Sequence, residues 1–387
     1  MDLGKQWHFN RPKLVAGLAD QLMAHQRIAM FGDRQTGKTT LMRSELIPEL
    51  ARRGVLPVYI ECWADKKDPL GSINHALTKA LEQIELTPDN GAKRLAKTPI
   101  KKVSILGVGV DLGELGKRTL PDSPTLRFDA LLTMLLEASK KDLVLLFDEF
   151  QTVASADDAD AISAGIRAAL TQASERVGVI FSGSSQTELL LMFQTSRAPL
   201  FQFARETPYQ VLREDFIAHI VAKFKLATGG RDLNNAMALD LLERCGHQPA
   251  PFLQVIGLMV LNPALTLDSA MAAVLSPDAR SIWTTAWEAL TAFQRGVLQL
   301  VTAGEGPTTQ ASREWLQKLA DEAGPGEMPA KPKGKRAAAS AAASTGTVDR
   351  AVKALESKGL IAKTTKGWEV VDPLMRLWLQ QNAPIAR

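Results

Sequence analysis

Apolar residues along this 387-residue chain fall into two textures. Over the first half, short unbroken apolar runs alternate with stretches in which apolar residues recur three or four positions apart. The runs are 27–31 (RIAMF), 56–62 (LPVYIEC), 143–147 (LVLLF) and 177–182 (VGVIFS), and residues 208–212 give a fifth, weaker one. Five apolar residues between polar flanks predict strands covered on both faces, the habit of a parallel sheet between helices. The intervening stretches supply those helices. Leu14, Val15, Leu18 and Leu22 share a face before the first strand, and residues 40–50 carry helical leucine spacing up to the stop at Arg52-Arg53-Gly54. Ile73, Leu77, Leu81 and Ile84 line a helix over 70–85, and further helices are predicted over 126–139 and 158–174.

From residue 213 the texture turns wholly helical. Phe216, Ile220 and Phe224 mark one face, and Ala238, Leu241, Leu242 and Cys245 another. Gly246-His247-Gln248-Pro249 interrupts the pattern before 252–261 resumes it. Residues 282–303 predict one helix carrying Trp283, Trp287, Phe293 and Leu298, and 312–320 another. In 347–358, Val348, Ala351, Val352 and Leu355 face inward and leave Arg350 and Lys353 outward. Gly359 ends that helix, and 360–370 reads as a basic hairpin. Helix, turn and hairpin in that order predict a winged helix-turn-helix. Two stretches break the pattern. Residues 86–125 are rich in Gly, Pro and Lys, with a short hairpin expected over 103–110; 323–346 is a Pro/Ala/Lys-rich segment that predicts a disordered loop. The expected organisation is an α/β phosphate-loop domain at 1–212 with an insertion at 86–125, a helical lid at 213–280, and a winged-helix domain at 281–387.

Composition changes this picture little. Hydrophobic residues make up 45% and charged residues 23%, the ordinary balance of a soluble globular protein. No apolar run approaches the roughly eighteen residues of a spanning helix. No secretory signal is apparent at the N-terminus and the two cysteines form no disulfide or metal pattern, so the cytoplasm is the expected compartment. Net charge is a mild +4, but between Lys331 and Lys366 nine Lys or Arg residues face two acids. The basic excess lies near the C-terminus.

The chemistry begins at Gly32-Asp33-Arg34-Gln35-Thr36-Gly37-Lys38-Thr39-Thr40, which fits G-x-x-x-x-G-K-[ST] between a strand and a helix. In that context the loop's backbone N–H groups cradle nucleotide phosphates, Lys38 reaches the terminal phosphates, and Thr39 holds Mg²⁺. Asp148 and Glu149 end a buried strand, where Asp148 can complete the Mg²⁺ shell and Glu149 can polarise the attacking water. Ser184 or Ser185, after the fourth strand, can sense phosphate or water, or cap the following helix. Arg197 or Arg205 can act as an arginine finger, in cis or towards a neighbouring subunit. Arg11 is open between a nucleotide contact and a surface cation. In the last domain, Thr347, Arg350 and Lys353 on the helix and Lys363 and Lys366 on the wing are the residues a DNA duplex would meet.

GDRQTGKTT, LVLLFDEF, FSGSSQTELLLMF and GLIAKTTKGWEVVDPLMRLWL together resemble the archaeal-type ATPases, signal-transduction ATPases related to the origin-recognition AAA+ proteins. The resemblance implies that Lys38 and Thr39 are the phosphate-loop pair, Asp148 and Glu149 the acidic pair, and Ser184 the polar sensor. It aligns Gly246 and Pro249 with the family's lid turn, Arg205 in PLFQFAR with its arginine, and Asp372, Pro373, Leu374 and Trp378 with its usual ending. It implies an ATP- and Mg²⁺-dependent switch. One output is duplex DNA binding in replication, transposition, transcription or defence, with homo-oligomers forming in the ATP state. The other is a signalling ATPase whose winged helix and insertion grip protein partners.

Overall fold

The computed structural model describes residues 3–86, 120–184, 186–276, 281–323, 343–364 and 367–385. The hairpin expected at 103–110, Ser185, most of the 323–346 loop and Lys366 lie outside the described residues. The chain divides into two compact units. One comprises Asn10–Gly32 and Lys38–Tyr209; the other comprises Met1–Phe9, Asp33–Gly37 and Gln210–Arg387.

The first unit is built on a five-stranded parallel sheet. Its strands are β1 (Arg27–Phe31), β2 (Leu56–Glu61), β3 (Leu143–Asp148), β4 (Val177–Gly183) and β5 (Arg205–Pro208), in the order β2-β3-β4-β1-β5. Every residue of β3 and β4 is buried, as the unbroken apolar runs require. Helices Pro12–Met23, Pro69–Leu86, Pro124–Ser139 and Ala159–Gln172 form where helices are expected. The first of these ends hard against β4. A Cβ on Gly178 would stand 2.0 Å from the Leu22 carbonyl oxygen, so only glycine permits that approach.

Two expectations need correction here. The fifth strand spans Arg205–Pro208 rather than 208–212, because it is an exposed edge strand with no apolar run to mark it. Pro208 ends it, and Tyr209 donates its N–H to Phe31 O at 2.7 Å. The helix after the phosphate loop is also not uniform. It starts as Lys38–Thr40, widens to a π-turn over Leu41–Leu46, and resumes as Ile47–Arg52. Pro48 has no N–H to return to Ser44, and the bonding slips by one residue so that Ile47 N–H reaches Met42 O. The slip accompanies burial of Glu45.

Among its described residues the second unit is helical apart from one antiparallel hairpin, β6 (Ile361–Thr364) with β7 (Gly367–Val370). A single apolar core takes in residues from Leu212 to Leu379 and includes Trp7. The helix expected over 282–303 is two, Ser281–Glu288 and Ala292–Thr302. Thr291 accepts from Gln294 N while the Gln294 side chain accepts from Thr291 N, a capping box that starts a new helix. Ser344 caps the helix Thr345–Ser357 and Asp372 caps Pro373–Asn382. Among the described residues no helix is long and apolar enough to cross a membrane.

Candidate nucleotide site

The carboxyl end of β1 runs into Gly32, which lies so close to Tyr209 that an added Cβ would meet the tyrosine Cβ at 2.9 Å. The loop turns through left-handed conformations at Gln35 (φ 59°) and Gly37 (φ 103°). The Thr36 hydroxyl ties the turn by donating to Asp33 O at 2.8 Å. Lys38 is 4% exposed and arches back to donate from Nζ to Gly32 O at 2.8 Å. The motif's lysine thus lies along its own loop, at the start of the helix.

Asp148 ends β3, and β4 lies between it and β1. It is 3% exposed, and its carboxylate is held from three directions. Thr39 Oγ1 donates to Oδ2 at 2.6 Å, the Tyr59 hydroxyl donates to the same oxygen at 2.8 Å, and Glu149 N donates to Oδ1 at 3.1 Å. Burial first, and then the Asp148 charge, push the Tyr59 hydroxyl well above its ordinary range, so it stays a donor. Burial likewise raises the Cys62 thiol at the end of β2.

The next residue points elsewhere. Glu149 sits at φ 52°, opening a short 3₁₀ turn over Phe150–Ser155. Its Oε2 accepts from Ser184 Oγ at 2.6 Å and from Gln151 Nε2, and Gln151 Nε2 also reaches Ser184 Oγ at 3.3 Å. Beneath this group Phe147 stacks on Phe181 with ring centroids 5.2 Å apart, and Phe150 and Phe193 close on Phe181 at 4.6 and 5.3 Å. The acidic pair therefore stands on a packed aromatic floor.

The structure brings together Gly32, Lys38, Thr39, Asp148, Glu149 and Ser184. Arg11 is neither a surface cation nor free to turn. Its backbone N–H donates to Glu45 Oε2 at 2.6 Å and its guanidinium bonds the Tyr209 hydroxyl and pairs with Glu45 at 3.6 Å. Arg197 and Arg205 are exposed. Arg205 opens β5 opposite Ile28, three residues before β1 ends, which puts it at the amino end of its strand. Tyr59, Gln151 and Gln248 are polar partners that motif matching misses. In the second unit Gln248 Nε2 donates to Arg34 O at 3.2 Å, and the His247 ring pairs with Leu212 O at 3.1 Å. A polar residue inside an apolar strand, as Tyr59 is in LPVYIEC, was the available signal.

In the C-terminal part, Lys353 and Lys363 are exposed. Thr347 is buried and committed to the Ser344 cap, and Arg350 folds back to donate to Gly346 O at 3.1 Å and Thr347 Oγ1 at 3.2 Å. The helix begins at Thr345, two residues earlier than the expected start at Thr347.

No protein-family profile matches the chain, and no curated protein does. Solved structures do. A Walker-type ATPase of Pyrococcus abyssi superposes with a TM-score of 0.58 over 96% of each chain at 13% identity. The ORC2 protein of Aeropyrum pernix, solved in ADPNP–ADP complexes, gives 0.51 over 95% of this chain and 91% of that one at 14% identity. Likeness at that identity speaks for the fold alone, and it agrees with the parallel sheet and the phosphate loop: this chain has the α/β fold of the P-loop NTPases, as those two structures do.

Proposed function

We propose that this protein binds and slowly hydrolyses ATP, and that the nucleotide state switches its grip on duplex DNA. The observation that carries the reading is the 2.6 Å contact between Thr39 and Asp148 beside a Glu149 held by Ser184. A hydroxyl and one buried carboxylate form an oxygen-only donor pair, which fits Mg²⁺, a cation that keeps several waters and takes its remaining oxygens from phosphates. Mg²⁺ supplies charge neutralisation at the β- and γ-phosphates when bound.

Each residue then has a defined task. The loop amides and Lys38 bind phosphate oxygens, and Thr39 and Asp148 hold the cation. Glu149 accepts the proton of the attacking water, and Ser184 sets the direction of its carboxylate. An arginine from a neighbouring subunit, Arg197 or Arg205, completes the charge at the γ-phosphate; their exposure suits a role in trans better than one in cis. For DNA, the helix–helix–helix–hairpin order of Ala292–Thr302, Gln310–Ala323, Thr345–Ser357 and β6–β7 supports a winged-helix reading, with Lys353 and Lys363 as phosphate contacts.

The test is fluorescence anisotropy of a labelled duplex with ATP, ADP or no nucleotide, at two salt concentrations. One core includes residues from Leu212 to Leu379, so the comparison uses Lys38→Ala and the pair Lys353→Ala/Lys363→Ala, not a truncation. The expected outcome is binding that needs ATP and Lys38, weakens with salt, and falls in the double variant. ATP turnover with no duplex binding under any condition would remove DNA from the reading and leave protein partners as the output.

A further inference from the structure

We propose that Tyr59 is a positioning residue for the cation at this site, and that it sets cation affinity without taking part in nucleotide affinity. The inference rests on the nucleotide reading above and concerns how its metal-binding carboxylate is held. Tyr59 and Glu61 fall on the same face of β2, two residues apart, and Glu61 is the register partner of Asp148 on β3. The Tyr59 ring therefore spans one step of the sheet to reach the carboxylate at its end. Its hydroxyl donates to Asp148 Oδ2 at 2.8 Å, the oxygen that Thr39 Oγ1 approaches at 2.6 Å, and Glu149 N occupies Oδ1 at 3.1 Å. The far side of the ring is also engaged. The Arg43 guanidinium, from the π-turn after the phosphate loop, stands 5.1 Å over the Tyr59 centroid. One tyrosine thus couples the helix that carries Thr39 to the strand that carries Asp148.

The physical consequence follows from how carboxylates ligate metals. A ligating carboxylate rotates freely about its terminal bond unless outer donors fix its plane, and removing such a donor typically weakens metal binding by about 10–100-fold. Glu149 N restrains one oxygen, and Tyr59 is the side-chain donor that restrains the other independently of Thr39. Without the hydroxyl, the Asp148 plane is held on one side only and the Thr39–Asp148 pair loses its shared geometry. The phosphate-binding groups, Lys38 and the loop amides, are untouched.

Tyr59→Phe removes one oxygen and keeps the ring, its burial and the Arg43 contact. Two quantities are measured on the full chain: the affinity for a fluorescent ADP in EDTA, and the affinity for Mn²⁺ in the presence of ADP, by electron paramagnetic resonance. The expected result is an unchanged ADP affinity in EDTA and a Mn²⁺ dissociation constant raised about tenfold. Arg43→Gln, which leaves the hydroxyl in place, should raise it by a smaller factor. An unchanged Mn²⁺ affinity in Tyr59→Phe overturns the inference while the nucleotide reading stands. Loss of ADP binding in EDTA also overturns it, by showing a structural role. A wild-type protein that binds neither ADP nor Mn²⁺–ADP overturns the nucleotide reading itself, and this inference with it.

Discussion

The two units handle charge in opposite ways. In the sheet unit, Lys38, Asp148 and Glu45 are buried and each is engaged by a defined partner: Gly32 O for Lys38, Thr39 and Tyr59 for Asp148, and the Arg11 N–H for Glu45. In the helical unit, the cations proposed to meet DNA, Lys353 and Lys363, stand exposed around an apolar core. A buried charge is costly unless its partners are in place, so geometry around it constrains function tightly. An exposed cation acts through summed charge, and no single neighbour defines its job. Substitutions should therefore produce sharp, residue-specific losses in the first unit and small, cumulative ones in the second.

The largest expected effect tests the sharp side. Glu149→Gln keeps the shape of the side chain and its ability to accept from Ser184, but removes the base. ATP hydrolysis should fall by about 10²–10⁴-fold while ATP binding is retained, as measured by phosphate release beside nucleotide affinity. A fall in binding of the same size would mean that Glu149 holds the site together and does no proton work. Next comes the floor on which the acids stand. Phe181 is fully buried among Phe147, Phe150 and Phe193, and Phe181→Ala should cost about 3–5 kcal/mol in denaturant unfolding. A loss below about 1 kcal/mol would show that this core collapses readily around the gap.

Much of this is legible in the sequence. Strands covered on both faces announce themselves as apolar runs, and the phosphate loop and acidic pair need fixed residue types at fixed places. What was hidden has physical reasons. The edge strand Arg205–Pro208 has no buried face to leave a hydrophobic signature. The π-turn follows from Pro48, whose missing N–H is visible in sequence but whose effect depends on the whole helix. The Tyr59–Asp148 and Arg11–Glu45–Tyr209 contacts join residues 34 to 198 positions apart, where only the folded chain brings them together. Thr347 is expected to meet DNA as the first residue of its helix, but the helix begins at Thr345, and Thr347 turns inward where the Ser344 cap engages its hydroxyl.

Backbone packing gives an intermediate test. Gly178→Ala on β4 drives a methyl group into the Leu22 carbonyl, and backbone cannot step aside as a flexible side chain can. A cost of about 1–3 kcal/mol in thermal or denaturant unfolding is expected. On the diffuse side, Lys353→Ala and Lys363→Ala should each reduce the salt dependence of duplex binding by about one counterion, and their effects should add. A single one of them abolishing binding would break the contrast between the units, because it would make one exposed cation as specific as a buried one.

The smallest expected effect concerns pH and a place where the helical unit treats a titratable group as the sheet unit does. His219, on the helix Glu214–Ala227, packs 5.5 Å from the Phe9 ring, and its Nε2 is buried without a hydrogen-bond partner. Burial first holds its pKa below the ordinary 6.5, with Lys223 and His8 adding to the depression and a backbone hydrogen bond involving Trp7 opposing it. A histidine depressed on folding contributes stability that is fully present above the unfolded value. That contribution is lost as pH falls through 6.5 towards the folded value, because the unfolded chain takes the proton more readily. The melting temperature should therefore drop more between pH 7.5 and pH 5 in wild type than in His219→Gln, with the two curves closest at the acid end. Parallel curves would mean that the ring hydrates on protonation without loosening the Phe9 contact, and that the helical unit tolerates charge even where its core closes over a nitrogen.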